Sequence, residues 1–406
     1  MLTQDTPMDS AKIERAAKVR RPNSRTMLFV THARGYGGTE KHLLELLSRL
    51  GDGGVRIVIL CLYADPYSER LNFRSNSEIE VRQEANLNTW KDWYRVFRSI
   101  KPDVVVFVYG WIWCLPPVAA LGARLAGIRR RFAIYHLIPP VPFKIEGKSL
   151  RDRVRRIIGR RARHRWSLAV QPRLFHKTIC VSNAVRDALV RDYRFPRRKT
   201  ATIHNGVSMT DFAPSRAPGA TIRAKLGLRA DDFVLISTAR LSEEKGIDIV
   251  LRAMGELWRT QLPCKLIMVG EGHLKDELTA QVQSLGLSDH VFMVGFQDDV
   301  KQYLMAGDAF VLTSYREGLP FAILEAMACG LPSIVSNVGG NAEAVAHNVN
   351  GIVVNPGSVD EVVEAISYFI THPEERSRMS QVARSRACNE FDIEAKMQEL
   401  KQVLLS

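Results

Sequence analysis

The sequence predicts an α/β protein built from two doubly wound domains and finished by helices. Three observations lead there. The chain has 406 residues, roughly twice the usual length of one domain. From Thr26 onward, short apolar runs suited to buried parallel strands alternate with amphipathic segments. After a stretch rich in turn formers, the same alternation starts a second time.

Residues 1–25 carry no apolar core, which excludes a signal peptide, and read as a polar, disordered tail. The first domain is expected over 26–210. Its strands are TMLFVTHA, RIVILCL, DVVVFVYG, RRFAIYHLI, KTICVS and TATIHNGV. The loop RGYGG leads into the helical pattern TEKHLLELLSRL, and further helices fall around Pro117–Ala126 and Asn183–Arg191. The segment VSMTDFAPSRAPGA reads as a linker, with the boundary near Asp211. The second domain, 211–385, offers six strands: FVLISTARL, KLIMVGEG, HVFMVGF, AFVLTS, LPSIVS and NGIVV. Helices GIDIVLRAMGEL, HLKDELTAQVQSL, DVKQYLMAG and LPFAILEAMACG separate them. After Gly357 the pattern is wholly helical. The terminal helix, 386–406, has two places open to it: the second domain, or back across to the first.

At 46% hydrophobic and 25% charged, the composition is that of an ordinary globular protein rather than a disordered chain. The net charge of +14 favours an anionic partner. Much of it lies in Arg151–Arg165, where Val154, Ile157 and Ile158 stand among arginines. A basic helix with an apolar stripe can rest on an anionic membrane leaflet; a solvated surface helix is the plainer alternative. No apolar stretch reaches the length that spans a bilayer, so the expected location is cytoplasmic, peripheral on the inner face of the membrane. The six cysteines lack metal-ligand spacing and sit mostly in apolar runs, as buried reduced thiols do.

The chemistry-bearing residues cluster in the second half. STARLSEEKG puts Arg240 at the end of an apolar strand and Lys245 before Gly246 and a helix. Two cations beside a helix N-terminus, at the C-terminal edge of a parallel sheet, suit a diphosphate. In TSYREGLPFAILEAMACG, Glu317 and Glu325 are eight positions apart. Leu319–Ala328 reads as a helix with Pro320 in its first turn, which leaves Glu317 in the loop before it and Glu325 about two turns inside. Carboxylates there can accept from ribose and hexose hydroxyls. A solvated polar face is the ordinary reading of two helical glutamates, but Glu325 is embedded in FAILEAMA.

The segment EGLPFAILEAMACGLP, with ARLSEEKG and IHNGV before it, resembles family 4 of the retaining glycosyltransferases. That resemblance covers the chain after Thr26 and is strongest from Thr200 to Val354. It implies the GT-B architecture, two Rossmann-like domains facing each other across a cleft. It implies that Arg240 and Lys245 bind the donor diphosphate, that Glu317 lies near the transferred sugar, and that Glu325 accepts the ribose hydroxyls. Gly318, Leu319 and Pro320 would offer backbone amides, and Gly37 and Gly38 would form the glycine loop near the phosphate. His136, by itself more often a structural histidine, matches the histidine that ends a first-domain strand beside the sugar. GGNAEAV lacks the family's usual proline, which leaves Glu343 a suggested donor residue, and the role of His273 is open.

The implied reaction is retaining transfer of a hexosyl unit from a UDP- or GDP-sugar to a glycan or lipid-linked acceptor, in polysaccharide or lipopolysaccharide synthesis. No cofactor and no metal are expected, since the cations and helix dipole take the metal's place. VGEGHL lacks the third glycine of a dinucleotide fingerprint, which excludes a nicotinamide site. A nucleic-acid partner is not expected, for want of an aromatic–basic motif, zinc-ligand spacing or a helix-turn-helix. A catalytically idle scaffold of the same fold is the remaining rival.

Overall fold

The structure is a computed structural model, and it describes residues 25–31, 38–50, 55–62, 67, 79–84, 87–110, 117–138, 172–262 and 264–405. Seven strands form the first sheet: β1 (Thr26–Thr31), β2 (Arg56–Cys61), β3 (Ile79–Gln83), β4 (Val104–Tyr109), β5 (Arg130–Tyr135), β6 (Lys177–Cys180) and β7 (Thr200–Thr202). Their order is β3-β2-β1-β4-β5-β6-β7, every pair parallel. β1 and β4 are buried at every position, as a sheet covered on both faces requires. The covering helices are α1 (Gly38–Leu50), α2 (Trp90–Ile100), α3 (Pro117–Leu125) and α4 (Asn183–Tyr193).

The second sheet repeats the plan with β8 (Val234–Thr238), β9 (Lys265–Val269), β10 (Val291–Gly295), β11 (Ala309–Leu312), β12 (Ser333–Ser336) and β13 (Gly351–Val354). Its order is β10-β9-β8-β11-β12-β13, again all parallel. Its helices are α5 (Arg216–Lys225), α6 (Ile247–Arg259), α7 (Lys275–Ser284), α8 (Lys301–Leu304), α9 (Phe321–Ala328) and α10 (Asn341–Ala344). Then follow α11 (Val359–Thr371), α12 (Pro373–Glu390) and α13 (Ile393–Leu405). In both sheets the strand order reverses once, between β1 and β4 and between β8 and β11. Loops diverge at such a switch point and leave a crevice outside the strand ends.

The expected two doubly wound domains are therefore present, and all six second-domain strands appear where the sequence puts them. Three details differ. α5 begins within the expected linker and runs beyond it, with Ile222 in the core and Leu226, just after the helix, packed against it. α9 begins at Phe321, not Leu319, because Pro320 keeps an extended backbone (ψ 133°) as the residue before the helix. Glu325 is consequently just over one turn into the helix rather than two. The strand β3 and the helix α2 have no counterpart in the sequence reading; β3 is only half-buried and mostly polar.

α12 lies along the second sheet's unit, where the Arg384 guanidinium donates to the Ala328 carbonyl (2.5 Å) and Ser380 Oγ to the Gly330 carbonyl (2.5 Å). The chain then returns to the first. Val207 exchanges backbone hydrogen bonds with Phe391 (2.9 Å) and Ile393 (3.1 Å). α13 continues along α1, with Arg49 Nε 2.8 Å from Glu394 Oε1 and Arg130 donating to the Leu405 carbonyl (2.7 Å). Cys61, Cys180, Cys264 and Cys329 are buried thiols, whereas Cys388 on α12 is exposed. No helix among the described residues is long and apolar enough to cross a membrane.

Candidate functional site

The second sheet's switch point carries the main constellation. The loop after β8 runs Ala239–Gly246 and the loop after β11 runs Thr313–Pro320, and they are stitched together. Tyr315 N donates to the Glu244 carbonyl (2.8 Å), and Thr313 Oγ1 donates to the Gly246 carbonyl (2.7 Å). Gly246 has φ 58° and lies so close to the Thr313 carbonyl that a side chain there would collide with it. The turn that ends at Gly246 delivers Lys245 inward. Its Nζ is 2.7 Å from Glu317 Oε1, and Ser314 Oγ donates to the same oxygen at 2.7 Å. Glu317 is only 4% exposed, so its charge needs these partners.

Arg240 behaves differently from Lys245. Its side chain is 60% exposed and its nearest carboxylate, Glu244, is 3.6 Å away. The two cations expected to act as a pair are thus divided: Lys245 holds a buried carboxylate, and Arg240 stands at the rim. Thr238 Oγ1 and Ser242 Oγ, at the end of β8 and in its loop, are buried with no hydrogen-bond partner among the described residues. His273 is at the exposed rim, both Glu243 carboxylate oxygens lying 3.0 Å from its Nε2. That contact is the main reason the Glu243 carboxyl lies below its ordinary value.

The two units meet over this loop. His136 follows β5, is 7% exposed, and takes the Tyr109 carbonyl through its backbone N–H (3.0 Å). A Cβ on Gly318 would collide with the His136 carbonyl oxygen, so only glycine lets the Glu317 loop approach this strand end. Asn205, from the segment IHNGV, donates to the Leu319 carbonyl (2.6 Å). Gly38 begins α1 and faces Phe321 at the start of α9. Glu325 is buried, and Lys41 of α1 reaches it across the interface, Nζ to Oε1 2.5 Å. The structure therefore gathers His136, Lys245, Glu317, Gly318, Leu319, Pro320, Gly38 and Glu325 along one inter-unit face. Gly37 and the basic stretch Arg151–Arg165 lie outside the described residues.

Glu343, only a suggested donor residue in the sequence, makes its side-chain contacts with the first unit. Its carboxylate is directed at the start of α4 and at His204. It accepts from Asn183 N (2.8 Å), Ala184 N (2.7 Å), Asn183 Nδ2 (2.9 Å) and His204 Nε2 (2.9 Å). The first two are orphan amides of the opening turn of α4, whose third, Val185 N, is taken by Ser182 Oγ (3.2 Å). A carboxylate from one unit thereby caps a helix of the other. Burial pushes its pKa up, but the hydrogen bonds from His204, Asn183 N and Ala184 N outweigh that and hold it below the ordinary value. Sequence reasoning missed Lys41, Ser314, His204 and Asn183. Lys41, Ser314 and His204 stand in segments the sequence singles out, TEKHLLELLSRL, TSYREGLPFAILEAMACG and IHNGV, but nothing in those segments gave them a role.

Comparison with known proteins bears on the family and the fold. Residues 36–211 match the family described as Glycosyltransferase Family 4, and residues 219–386 match Glycosyl transferases group 1. An Escherichia coli UDP-Gal:alpha-D-GlcNAc-diphosphoundecaprenol alpha-1,3-galactosyltransferase is 25% identical, the match covering 91% of this chain and 93% of that one. The putative glycosyltransferase EpsD of Bacillus subtilis is 27% identical over 72% of this chain and 75% of its own. Among solved structures, Anabaena Alr3699/HepE in complex with UDP superposes with a TM-score of 0.76 at 23% identity, over 93% of this chain and 99% of that one. WaaG, a glycosyltransferase involved in lipopolysaccharide biosynthesis, superposes at 0.71 with 16% identity, over 93% and 99%. With two parallel Rossmann-like sheets and both family matches in chain order, the protein is a GT-B glycosyltransferase and belongs to family 4, the group 1 glycosyl transferases.

Proposed function

We propose that this glycosyltransferase moves a hexosyl unit from a nucleotide diphosphate sugar, UDP- or GDP-linked, to a glycan or lipid-linked acceptor, with retention at the anomeric carbon. The observation that carries the reading is the buried Glu317, held by Lys245 and Ser314 at the β8/β11 switch point, with the adjoining Gly318 against the end of β5 at His136. Uridine is favoured by the names of two similar proteins, the UDP-Gal enzyme and the UDP complex of HepE.

In this reading the diphosphate lies against Arg240, Lys245 and the N-terminal amides of α9, which offset the charge that builds on the leaving group. Glu317 and His136 border the sugar, and Glu325 accepts the ribose hydroxyls. A carboxylate nucleophile would have to stand within reach of the anomeric carbon and be free to attack. Glu317 has one oxygen committed to both Lys245 and Ser314, which favours same-face attack assisted by the departing phosphate. The cations supply the charge a metal would otherwise provide, so the proposed reaction is metal-independent.

The acceptor is proposed to be membrane-linked. The first unit has a basic edge at the N-terminal ends of β5 to β7. Arg124, Arg129, Arg173, Arg197 and Arg198 are exposed there, and none has an ion-pair partner among the described residues. Residues 117–138, 172–186 and 194–210 contain no Asp or Glu. Burial, then the charges of Arg198, Arg131 and Arg124, push the Lys199 ammonium below its ordinary value. Such an edge, continued in sequence by Arg151–Arg165, suits an anionic lipid surface.

Thermal unfolding against UDP, GDP, ADP and their sugar conjugates tests the donor class. One nucleotide at 100 times its dissociation constant should add about 2.7 kcal/mol of stability. No shift with any of them would overturn the donor assignment.

A further inference from the structure

We propose that Lys41 of the first unit is a positioning residue for the donor ribose: it holds Glu325 ready to accept the ribose hydroxyls, so that both units share in selecting a ribonucleotide. The proposal rests on the reading of Glu325 given above and adds a residue to which that reading assigned nothing.

Glu325 stands in the apolar run FAILEAMA, and its side chain is 8% exposed. A carboxylate so placed is costly without a counter-charge and has little reason to keep one orientation. Lys41 supplies both. Its Nζ lies 2.5 Å from Oε1, across 284 residues of chain, and 5.3 Å from the centre of the Phe212 ring. It comes from the first turns of α1, where Gly38 faces Phe321, so the bond forms only when α1 and α9 are in contact. Lys41, Glu45, Phe212, Phe321 and Glu325 line one crevice between the units.

An ionised carboxylate has about four acceptor sites, and one ammonium contact leaves the rest open. Of the two oxygens of Glu325, Oε1 meets Lys41, and Oε2 accepts no hydrogen bond from a described residue. Vicinal hydroxyls need such an acceptor, fixed in direction and kept charged. The ammonium fixes it from the side of the first unit. Ribose recognition is thereby tied to closure of the two units, because the residue that orients the acceptor and the acceptor itself lie on helices of different units.

The test compares the full-length protein with its Lys41→Met, Lys41→Arg and Glu325→Gln variants. The dissociation constants of UDP and 2′,3′-dideoxy-UDP are measured by calorimetry, with GDP and 2′,3′-dideoxy-GDP in parallel. Wild type should prefer the ribonucleotide by tenfold or more, as a site built around hydroxyls does. Lys41→Met should lose most of that preference by weakening the ribonucleotide alone, and Lys41→Arg should recover part of it. Unchanged preference in Lys41→Met, alongside its loss in Glu325→Gln, would reduce Lys41 to a strut between helices and overturn the proposal. Tighter ribonucleotide binding by Lys41→Met would overturn it too, by making Lys41 a competitor for the ribose place. Full preference in Glu325→Gln would instead overturn the ribose reading of Glu325, a failure read on a different variant. Thermal unfolding of each variant, with Lys41→Arg as the milder change, separates lost recognition from lost folding.

Discussion

Replacing Glu343 by alanine removes the carboxylate that spans the two units, and its cost can be worked from the contacts. Two backbone amides of α4 lose their acceptor, which for a helix cap is worth about 1 kcal/mol. The anion at a partly buried helix N-terminus adds up to about 2 kcal/mol. The contact with His204 Nε2, both side chains being partly exposed, adds at most about 1 kcal/mol. These terms overlap, so about 2–3 kcal/mol is expected, a factor of roughly 30–150 in the balance between joined and separated units. Glu343→Gln, which keeps an acceptor oxygen and loses the charge, should cost about half as much. Urea unfolding of both variants measures the loss, and small-angle scattering reads the radius of gyration. The pH dependence carries a sign. Glu343 has a depressed pKa, so its contribution is full above the ordinary glutamate value and is lost as pH falls through the lower folded value. Wild type and Glu343→Ala should therefore converge in stability under acid. A variant within about 0.5 kcal/mol of wild type at neutral pH, with an unchanged radius of gyration, would refute the reasoning.

Other outcomes follow from the same geometry. Gly318→Ala forces a methyl group into the His136 carbonyl, so activity should fall at least tenfold while α9 and its sheet stay folded by circular dichroism. Transfer should persist after dialysis against EDTA, and a strict metal requirement would remove the role given to the cations. Reversing Arg129, Arg197 and Arg198 to glutamate should weaken co-sedimentation with anionic vesicles, each basic residue contributing about 1 kcal/mol. Unchanged sedimentation would assign that edge another partner.

The fold was legible because a doubly wound sheet writes itself as repeated apolar runs, and in the second half every run became a strand. β3 escaped because IEVRQ, at the edge of its sheet, is half-buried and mostly polar, and an apolar-run criterion cannot find it. α5 was hidden by Pro218 and Gly219, turn formers that here lie inside a helix; Gly219 lets it pass close to the Met305 carbonyl. Glu325 stood out by itself, because a charge embedded in FAILEAMA has few ordinary explanations, whereas Lys245 and Glu317, in polar loops, gained meaning only from the segments around them. Their partnerships were not legible. Lys41 meets Glu325 across 284 positions, and Glu343 meets Asn183 across 160. Such contacts are set by how two independently patterned units face each other, which no local spacing encodes.

The most direct test of the central claim is release of nucleotide from a UDP-sugar and GDP-sugar panel by the wild-type protein and by Lys245→Met. Lys245 is held on Glu317 at 2.7 Å and would meet the leaving diphosphate, so its removal should lower turnover by about 10²–10³-fold. Wild-type release from one donor, lost to that extent in the variant, is the predicted result. Equal turnover by both proteins would contradict the site at the β8/β11 switch point.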